Sequence, residues 1–573
     1  MMAKAVNSNN NQKSHLVIDP ITRIEGHLRI EVDVKDGKVS NAWSSGTLWR
    51  GIEPILQGRD IRDAGLLVQR ICGVCTWVHY EANTMSAEVA LGIRPPTNAR
   101  LIRNMINATQ FMHDHIVHFY ALHSLDWADV GGALKADPVK ASELAHQFSQ
   151  TPYNASVDHY KEVIEKLKKF VASGQLGPFS GAYLGNKLYK LPPEGDLIVI
   201  SHYLDALYVQ VVLAQMMAIY GAKNPHPQSL VVGGITSVMD MLDAKRLGQY
   251  TSKLEQVGEF IQHAYLPDID LITHFYKDEF VEGWGCGSYN FLSYGGFPET
   301  NDWKAEYRYL PQGVIYNRDL SKAEKVDERH ITESVAHSWY KGPNKGLYPG
   351  DEETVPEYTG LNPDGTVKGE GKYSWVKAPR YKGKMMEVGP LSRLLVGYVL
   401  DHNNMREMLE MFLQKHSADV RQMFSTVGRT AARALETAYI WYGAHRWVDD
   451  LVANLAQGDE RTWTRFEYPE EETNTSVALY EAPRGSLAHF VRIKGKKVTH
   501  YQVVVPSTWN ASPRDEKGQR GAYEESLIDL PVPDLEEPLE ILRTVHSFDP
   551  CLACAIHVVD VDSGRVKKFK VEV

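Results

Sequence analysis

The chain has 573 residues, 43% of them hydrophobic and 23% charged, which is ample material for a large core and excludes a disordered or fibrous protein. A formal net charge of −10 argues against a nucleic-acid partner, and five cysteines are too few for a disulfide-stapled secreted fold. The polar start MMAKAVNSNNNQKSH has no apolar signal region, so the default address of a chain travelling alone is the cytoplasm.

Residues 16–50 alternate apolar and polar around VKDGKV, the pattern of a hairpin with an Asp-Gly turn. From about Ile61 to Ala90 the spacing is helical, and it is helical again over 101–125, 158–173, 197–221, 238–264, 389–417 and 426–457. The most apolar run, Tyr203 to Ala222, carries Asp205, Gln210 and Gln215 and reads as a buried helix rather than a membrane span. Residues 280–385, rich in Gly, Pro, Tyr and Trp, predict a long irregular excursion. Residues 488–506 predict a second hairpin turning at KGKK, and 558–573 two short strands around Asp-Ser-Gly. No Gly-rich nucleotide-binding stretch is present. The expected fold is mainly α, with small β-hairpins or sheets in the N- and C-terminal parts, as one interwoven α+β unit around a buried metal site.

Two cysteine clips frame the chain: RICGVCTWVH near the start and DPCLACAIH near the end. In the helical reading, Cys72 and Cys75 share a face at i, i+3 with His79 a turn further on. Asp549 can cap a helix opening at Pro550, placing Cys551 where unpaired amides favour a thiolate, with Cys554 and His557 on the same side. Zinc ribbons usually set their pairs about 15–20 residues apart, unlike these. Redox dithiols, or two pairs that never meet, remain bland alternatives. Four thiolates suit nickel, iron, copper(I) or zinc, so ligand type alone does not choose the metal.

The two clips together resemble the large subunit of [NiFe] hydrogenases. DPITRIEGHLRI (19–30), LWRGIEPIL (48–56), EAPRGSLAHF (481–490) and VVVPSTWN (503–510) agree with that family in its order. The resemblance implies that Cys72 and Cys551 are terminal nickel ligands. It implies that Cys75 and Cys554 bridge nickel to an iron carrying cyanide and carbon monoxide. Glu25 matches the family's proton-transfer glutamate; the plain alternative is an ion pair with Arg23. Arg484 matches the arginine over the open side of the metals, able to polarise H2 or, at an unusually low pKa, to take a proton. Asp114 and Asp549 match the acids beside it, and Pro483 and Ser507 the positions around the diatomic ligands. His79 takes a supporting place near the bridging thiolates. Glu53, His557 and the Val503 carbonyl match ligands of a second metal, usually magnesium and in some members iron. His113, His115 and His118 are left without a role.

Cys286 is expected to be an inert buried thiol. One spare cysteine cannot hold an Fe–S relay, so a separate cluster-bearing small subunit is expected, with no nucleic acid. The resemblance adds a maturation protease, nickel-insertion factors and a membrane cytochrome reached through the small subunit. It divides the chain into a unit over 1–557 and a removable tail over 558–573, so that the chain ending at Val573 is the precursor. RTVHSFDPCLACAIH resembles periplasm-facing uptake enzymes, which travel folded with a signal-bearing partner; the cytoplasm is the alternative. A regulatory H2 sensor of the same fold and a structural zinc protein are the competing functions. The tail speaks against the sensor, and metal analysis separates the zinc protein.

Overall fold

The computed structural model describes residues 4–7, 13–174, 177, 179, 182–303, 308–468 and 472–555. Its centre is a pair of long helices, Thr97–Val117 and Thr426–Ala456, packed on each other. The first starts where Pro96 holds an extended backbone, and the second where the Ser425 hydroxyl accepts the Gly428 amide. Helix Pro193–Gly221 packs against the first. It is long and apolar enough to cross a membrane, but most of its apolar window is buried inside the protein, as a core helix requires.

At the N-terminal side lies a four-stranded antiparallel meander: Lys4–Asn7, Lys13–Ile18, Leu28–Lys35 and Lys38–Gly46. The Asp36–Gly37 turn has positive φ at both residues (53° and 75°), as a two-residue hairpin needs. Near the C-terminus, Thr473–Ala482, Gly485–Lys494 and Lys497–Val504 form a three-stranded antiparallel sheet. The fold is therefore mainly helical with small antiparallel sheets. Within 280–385 the irregular chain also holds two short strand pairs, Phe291–Pro298 with Arg308–Ile315 and Ile331–Ser334 with Ala378–Tyr381.

Several predicted helices are interrupted. The run from Ile61 stops at Val68, tightens to a 3₁₀ turn over Gln69–Ile71, and resumes only at Val78–Leu91. Cys72 is extended (φ −124°, ψ 136°), so the first clip lies in a turn and the shared-helix-face argument is corrected. The run 389–417 splits into Pro390–Leu400 and Met405–Lys415 because Asp401, Asn403 and Asn404 take left-handed backbone. The run 238–264 breaks at Asp243, whose side chain caps Ala244–Phe260 by accepting the Lys245 amide. The 101–125 run keeps its extent but widens to a π turn over His118–His123. Cys286 is half-buried rather than buried.

The two ends of the chain meet as backbone. The Glu25 amide donates to the Pro550 carbonyl (3.2 Å), and the Leu552 amide donates to the Glu25 carbonyl (2.8 Å). Gly26 (φ 83°) permits this approach: a Cβ there would stand 2.4 Å from the Ala553 nitrogen.

Candidate metal centre

The first clip folds around its own sulfur. Amides of Val74 and Cys75 donate to Cys72 Sγ at 3.3 and 2.9 Å, and this requirement is what breaks the helix. The second clip is tethered by Ser507, whose hydroxyl accepts the Cys551 amide at 3.0 Å. Cys72 and Cys551, 479 positions apart, bring their sulfurs to 3.3 Å. With Cys75 they form one buried cluster whose ligand atoms all lie within 4.8 Å of one another. Thiolates at such spacing repel unless a cation sits among them, so this donor set fits a soft metal. The Cys554 side chain and His557 lie outside the described residues.

Glu25 stands beside this cluster. Its Oε2 is 3.2 Å from Cys551 Sγ and accepts the Ala553 amide at 3.0 Å. Burial first, and then the Cys72 charge, push its carboxyl up to about 7. Arg23 is committed elsewhere, to the Asp126 carboxylate and the Leu122 carbonyl, so the Glu25–Arg23 ion pair does not form.

Arg484 sits with Pro483 in the two-residue turn between Thr473–Ala482 and Gly485–Lys494. Its Nη1 donates to Asp114 Oδ2 at 2.8 Å, and its Nε lies 3.1 Å from Asp549 Oδ1. Burial opposes the guanidinium charge. Asp549, the Cys551 sulfur and Asp114 outweigh it and hold Arg484 well above its usual range. The two carboxylates hold the guanidinium in place and favour its charged form. Asp549 has left-handed backbone (φ 60°), and its carboxylate faces Arg484 and Arg433. It does not cap the Leu552–Ala555 helix; Ser507 and Glu25 take those amides, which corrects the capping expectation. Burial pushes the Asp549 carboxyl up against the pull of both arginines.

Arg393 carries no sequence signal, yet it underlies this turn. It donates to the carbonyls of Ala482 (3.0 Å) and Pro483 (2.8 Å) while pairing with Glu436 and Glu481, all fully buried. Burial pushes His115 down to about 4, and its Nε2 meets Glu436 at 2.9 Å. His79 is likewise lowered to about 4 by burial. It begins a buried chain through His489 (3.2 Å) and the Tyr501 hydroxyl (2.8 Å) to Asn83 (2.9 Å).

A second polar cluster surrounds Glu53. Its Oε1 accepts the Val503 amide at 3.1 Å, and Thr354 stands 3.0 Å from Oε2. Glu333 and Glu352 face the same Lys377 ammonium, at 3.9 and 3.2 Å. Burial raises Glu53, and raises Glu333 strongly. Glu333 Oε1 and Glu352 Oε2 have no hydrogen-bond partner among the described residues. Two oxygens of these buried carboxyls are thus left as hard donors of the kind a divalent cation takes, while Lys377 already supplies one positive charge among them. Arg393, Arg433, Lys377, Glu333 and Glu352 escape sequence reasoning because each acts through partners remote in the chain, without a local motif.

A family model described as nickel-dependent hydrogenase matches residues 50–557, and one described as HoxL-like matches 15–44. The quinone-reactive Ni/Fe-hydrogenase large chain of Wolinella succinogenes is 47% identical over 570 residues, covering 97% of this chain and 98% of its own. The uptake hydrogenase large subunit of Bradyrhizobium diazoefficiens is 46% identical over 588 residues, with 98% of each chain covered. Among solved structures, the Ni-Fe-Se hydrogenase of Desulfovibrio vulgaris Hildenborough in its as-isolated oxidized state aligns with a TM-score of 0.76 at 33% identity, covering 95% of this chain and 100% of that one. The reduced, active form from Desulfomicrobium baculatum aligns at 0.73 and 34%, with the same coverage.

Proposed function

The chain belongs to the nickel-dependent hydrogenase large-subunit family, and on that premise we propose that it is the catalytic subunit that splits H2 into protons and electrons in the uptake direction. It is an oxidoreductase acting on H2, with a Ni–Fe active site. The observation that carries the reading is one buried cluster of Cys72, Cys75 and Cys551, with Glu25 beside the Cys551 sulfur and the Arg484 charge within reach of Cys551 and Cys75. The Ni–Fe group, when bound, supplies the Lewis-acid and redox chemistry of heterolysis. Cys72 and Cys551 would hold nickel terminally, and Cys75 and Cys554 would bridge it to an iron bearing CO and cyanide.

The chain's own residues do the rest. Arg484, pinned by Asp114 and Asp549, presents a fixed positive charge in a dry pocket and orients what enters it. Glu25 takes a proton at Oε2 from the Cys551 sulfur and passes it outward; a carboxyl near 7 suits a relay at neutral pH. Pro483 and Ser507 would line the place of the diatomic ligands, and His79 would support the sulfurs of Cys75 and Cys554. Glu53, the Val503 carbonyl and His557 would hold magnesium.

Each H2 releases two electrons, and Cys286 cannot bind a cluster by itself, so an Fe–S small subunit receives them. Residues 1–557 form the working unit, and a maturation protease removes 558–573 after nickel-insertion factors have acted. The relatives named quinone-reactive and uptake favour a periplasm-facing enzyme, co-exported with its small subunit and linked to a membrane cytochrome. Purified enzyme should hold nickel and iron in equal amounts in this subunit, with infrared bands from CO and cyanide. Zinc without nickel would overturn the reading.

A further inference from the structure

We propose that His546 carries a proton on both ring nitrogens in the folded protein, and that this imidazolium is a positioning residue that fixes the loop from Thr22 to Gly26, and with it Glu25, against the second cysteine clip. The positioning role rests on the proton-relay reading of Glu25; the protonation stands by itself.

His546 lies on helix Leu539–Ser547 and is fully buried. Its Nε2 is 2.8 Å from the Thr22 carbonyl oxygen. A carbonyl only accepts, so Nε2 must carry a proton. Its Nδ1 is 2.7 Å from Asp126 Oδ2. That carboxylate is an acceptor toward every neighbour. Arg23 donates to Oδ1. His123 Nδ1 lies 2.9 Å from Oδ2, while His123 Nε2 accepts the Trp127 indole N–H at 2.9 Å and stands 3.0 Å from the Thr430 hydroxyl; an indole N–H only donates, so the His123 proton belongs on Nδ1. Burial works to raise the Asp126 carboxyl, but the Arg23 guanidinium, paired to it in the buried interior, is the largest of the influences that hold it well below the usual carboxylate range. An ionised carboxylate cannot donate, so His546 Nδ1 must donate too. Two donating ring nitrogens make an imidazolium.

Other charged groups around it are accounted for. Arg543, on the same helix, pairs with Glu279 and donates to the Asp126 backbone carbonyl, not to its carboxylate. His118 Nε2 donates to the His546 carbonyl at 2.7 Å. The three ligand atoms of His123, Asp126 and His546 lie close enough together to suggest a metal site. The Trp127 bond removes His123 as a ligand, the separations are those of direct hydrogen bonds, and Arg23 already supplies positive charge.

The position of this charge matters. The helix runs straight into Phe548–Cys551, and the same stretch grips the loop twice: His546 holds Thr22, and Pro550 and Leu552 hold Glu25. A neutral imidazole has one ring donor for two acceptors, the Thr22 carbonyl and Asp126, so one of these two contacts would weaken and the hold on the loop with it.

Neutron diffraction on crystals of the parent heterodimer soaked in D2O near neutral pD should show deuterons on both Nδ1 and Nε2 of His546. Density on one nitrogen alone overturns the protonation. His546→Gln heterodimer, at full nickel and iron content, should lose about 10²-fold in H2/D⁺ exchange, while His546→Lys, which restores a cation with several donors, should return to within about threefold of the parent. Unimpaired exchange in His546→Gln, or equal loss in both variants, overturns the positioning role. If His546→Gln fails to assemble, the neutron result decides the protonation and His546→Asn at full nickel and iron content, read by the same exchange assay, decides the positioning role. A parent without nickel, iron or exchange would instead remove the functional reading, which the neutron density does not depend on.

Discussion

Replacing Glu25 with glutamine removes one exchangeable carboxyl proton while keeping the shape of the side chain. The amide oxygen can still accept from Ala553 N, the contact that Oε2 makes at 3.0 Å. It cannot take a proton from the Cys551 sulfur 3.2 Å away and release it outward. Loss of a positioned acid–base group is worth about 10²-fold or more, which at about 1.36 kcal/mol per tenfold is about 2.7 kcal/mol of barrier. Folding should suffer little, by under about 1 kcal/mol, because the retained hydrogen bond is the main one at stake. The pH dependence has a definite sign. The folded carboxyl sits at about 7 against an ordinary 4.5, so the folded chain keeps a proton that the unfolded chain has lost. Parent stability therefore declines as pH rises through that window, and the variant lacks the decline. The assay is H2/D⁺ exchange together with dye-linked H2 oxidation, on enzyme whose nickel, iron and infrared bands match the parent. Near-normal rates in a correctly metallated Glu25→Gln enzyme would refute the relay, and Asp114 and Asp549 would become the acids to test.

Arg393→Gln should cost about 3–5 kcal/mol in urea unfolding, because it strands the buried carboxylates of Glu436 and Glu481; a loss under about 1 kcal/mol would show that the pair is dispensable. Asp33 and Glu31 hold the His15 imidazole up at about 9, so its contribution is complete below about 6.5 and disappears as pH rises past 9; His15→Gln should flatten that alkaline fall in thermal midpoint, and parallel curves would exclude the linkage. Intact-mass measurement on active enzyme should give a chain ending at His557, and Cys551→Ser should leave the tail attached and nickel out; an active chain ending at Val573 would contradict processing.

Short-range patterns carried well wherever the physics is short-range. Alternation over 28–46 with Asp36–Gly37 is enough to specify a hairpin, because side-chain period and turn backbone are local. Helical spacing located Thr426–Ala456 to within a residue at its C-terminal end, since one apolar period persists over its length. Two clips of the same soft-ligand spacing identified the residues to watch. Where a local pattern met a distant demand, it failed. Helical spacing runs through Cys72, but the chain there must turn amides toward a sulfur that pairs with one 479 positions away. Asp549 has the sequence context of a cap, but two buried arginines compete for its carboxylate and win, because an unpaired buried charge is dearer than an uncapped amide.

The sequence by itself named the candidates: the cysteines of two clips, and a glutamate and an arginine by their likeness to family motifs. Only the tertiary structure decided what surrounds them. Arg393 under the Pro483 carbonyl and Lys377 among three carboxyls belong to no motif, and the RTVHSFDPCLACAIH stretch by itself gives His546 no partner, whereas the fold sets it between Asp126 and Thr22. Their state is set by burial and by the charges packed against them, and those neighbours are brought together by the folded backbone rather than by proximity along the chain.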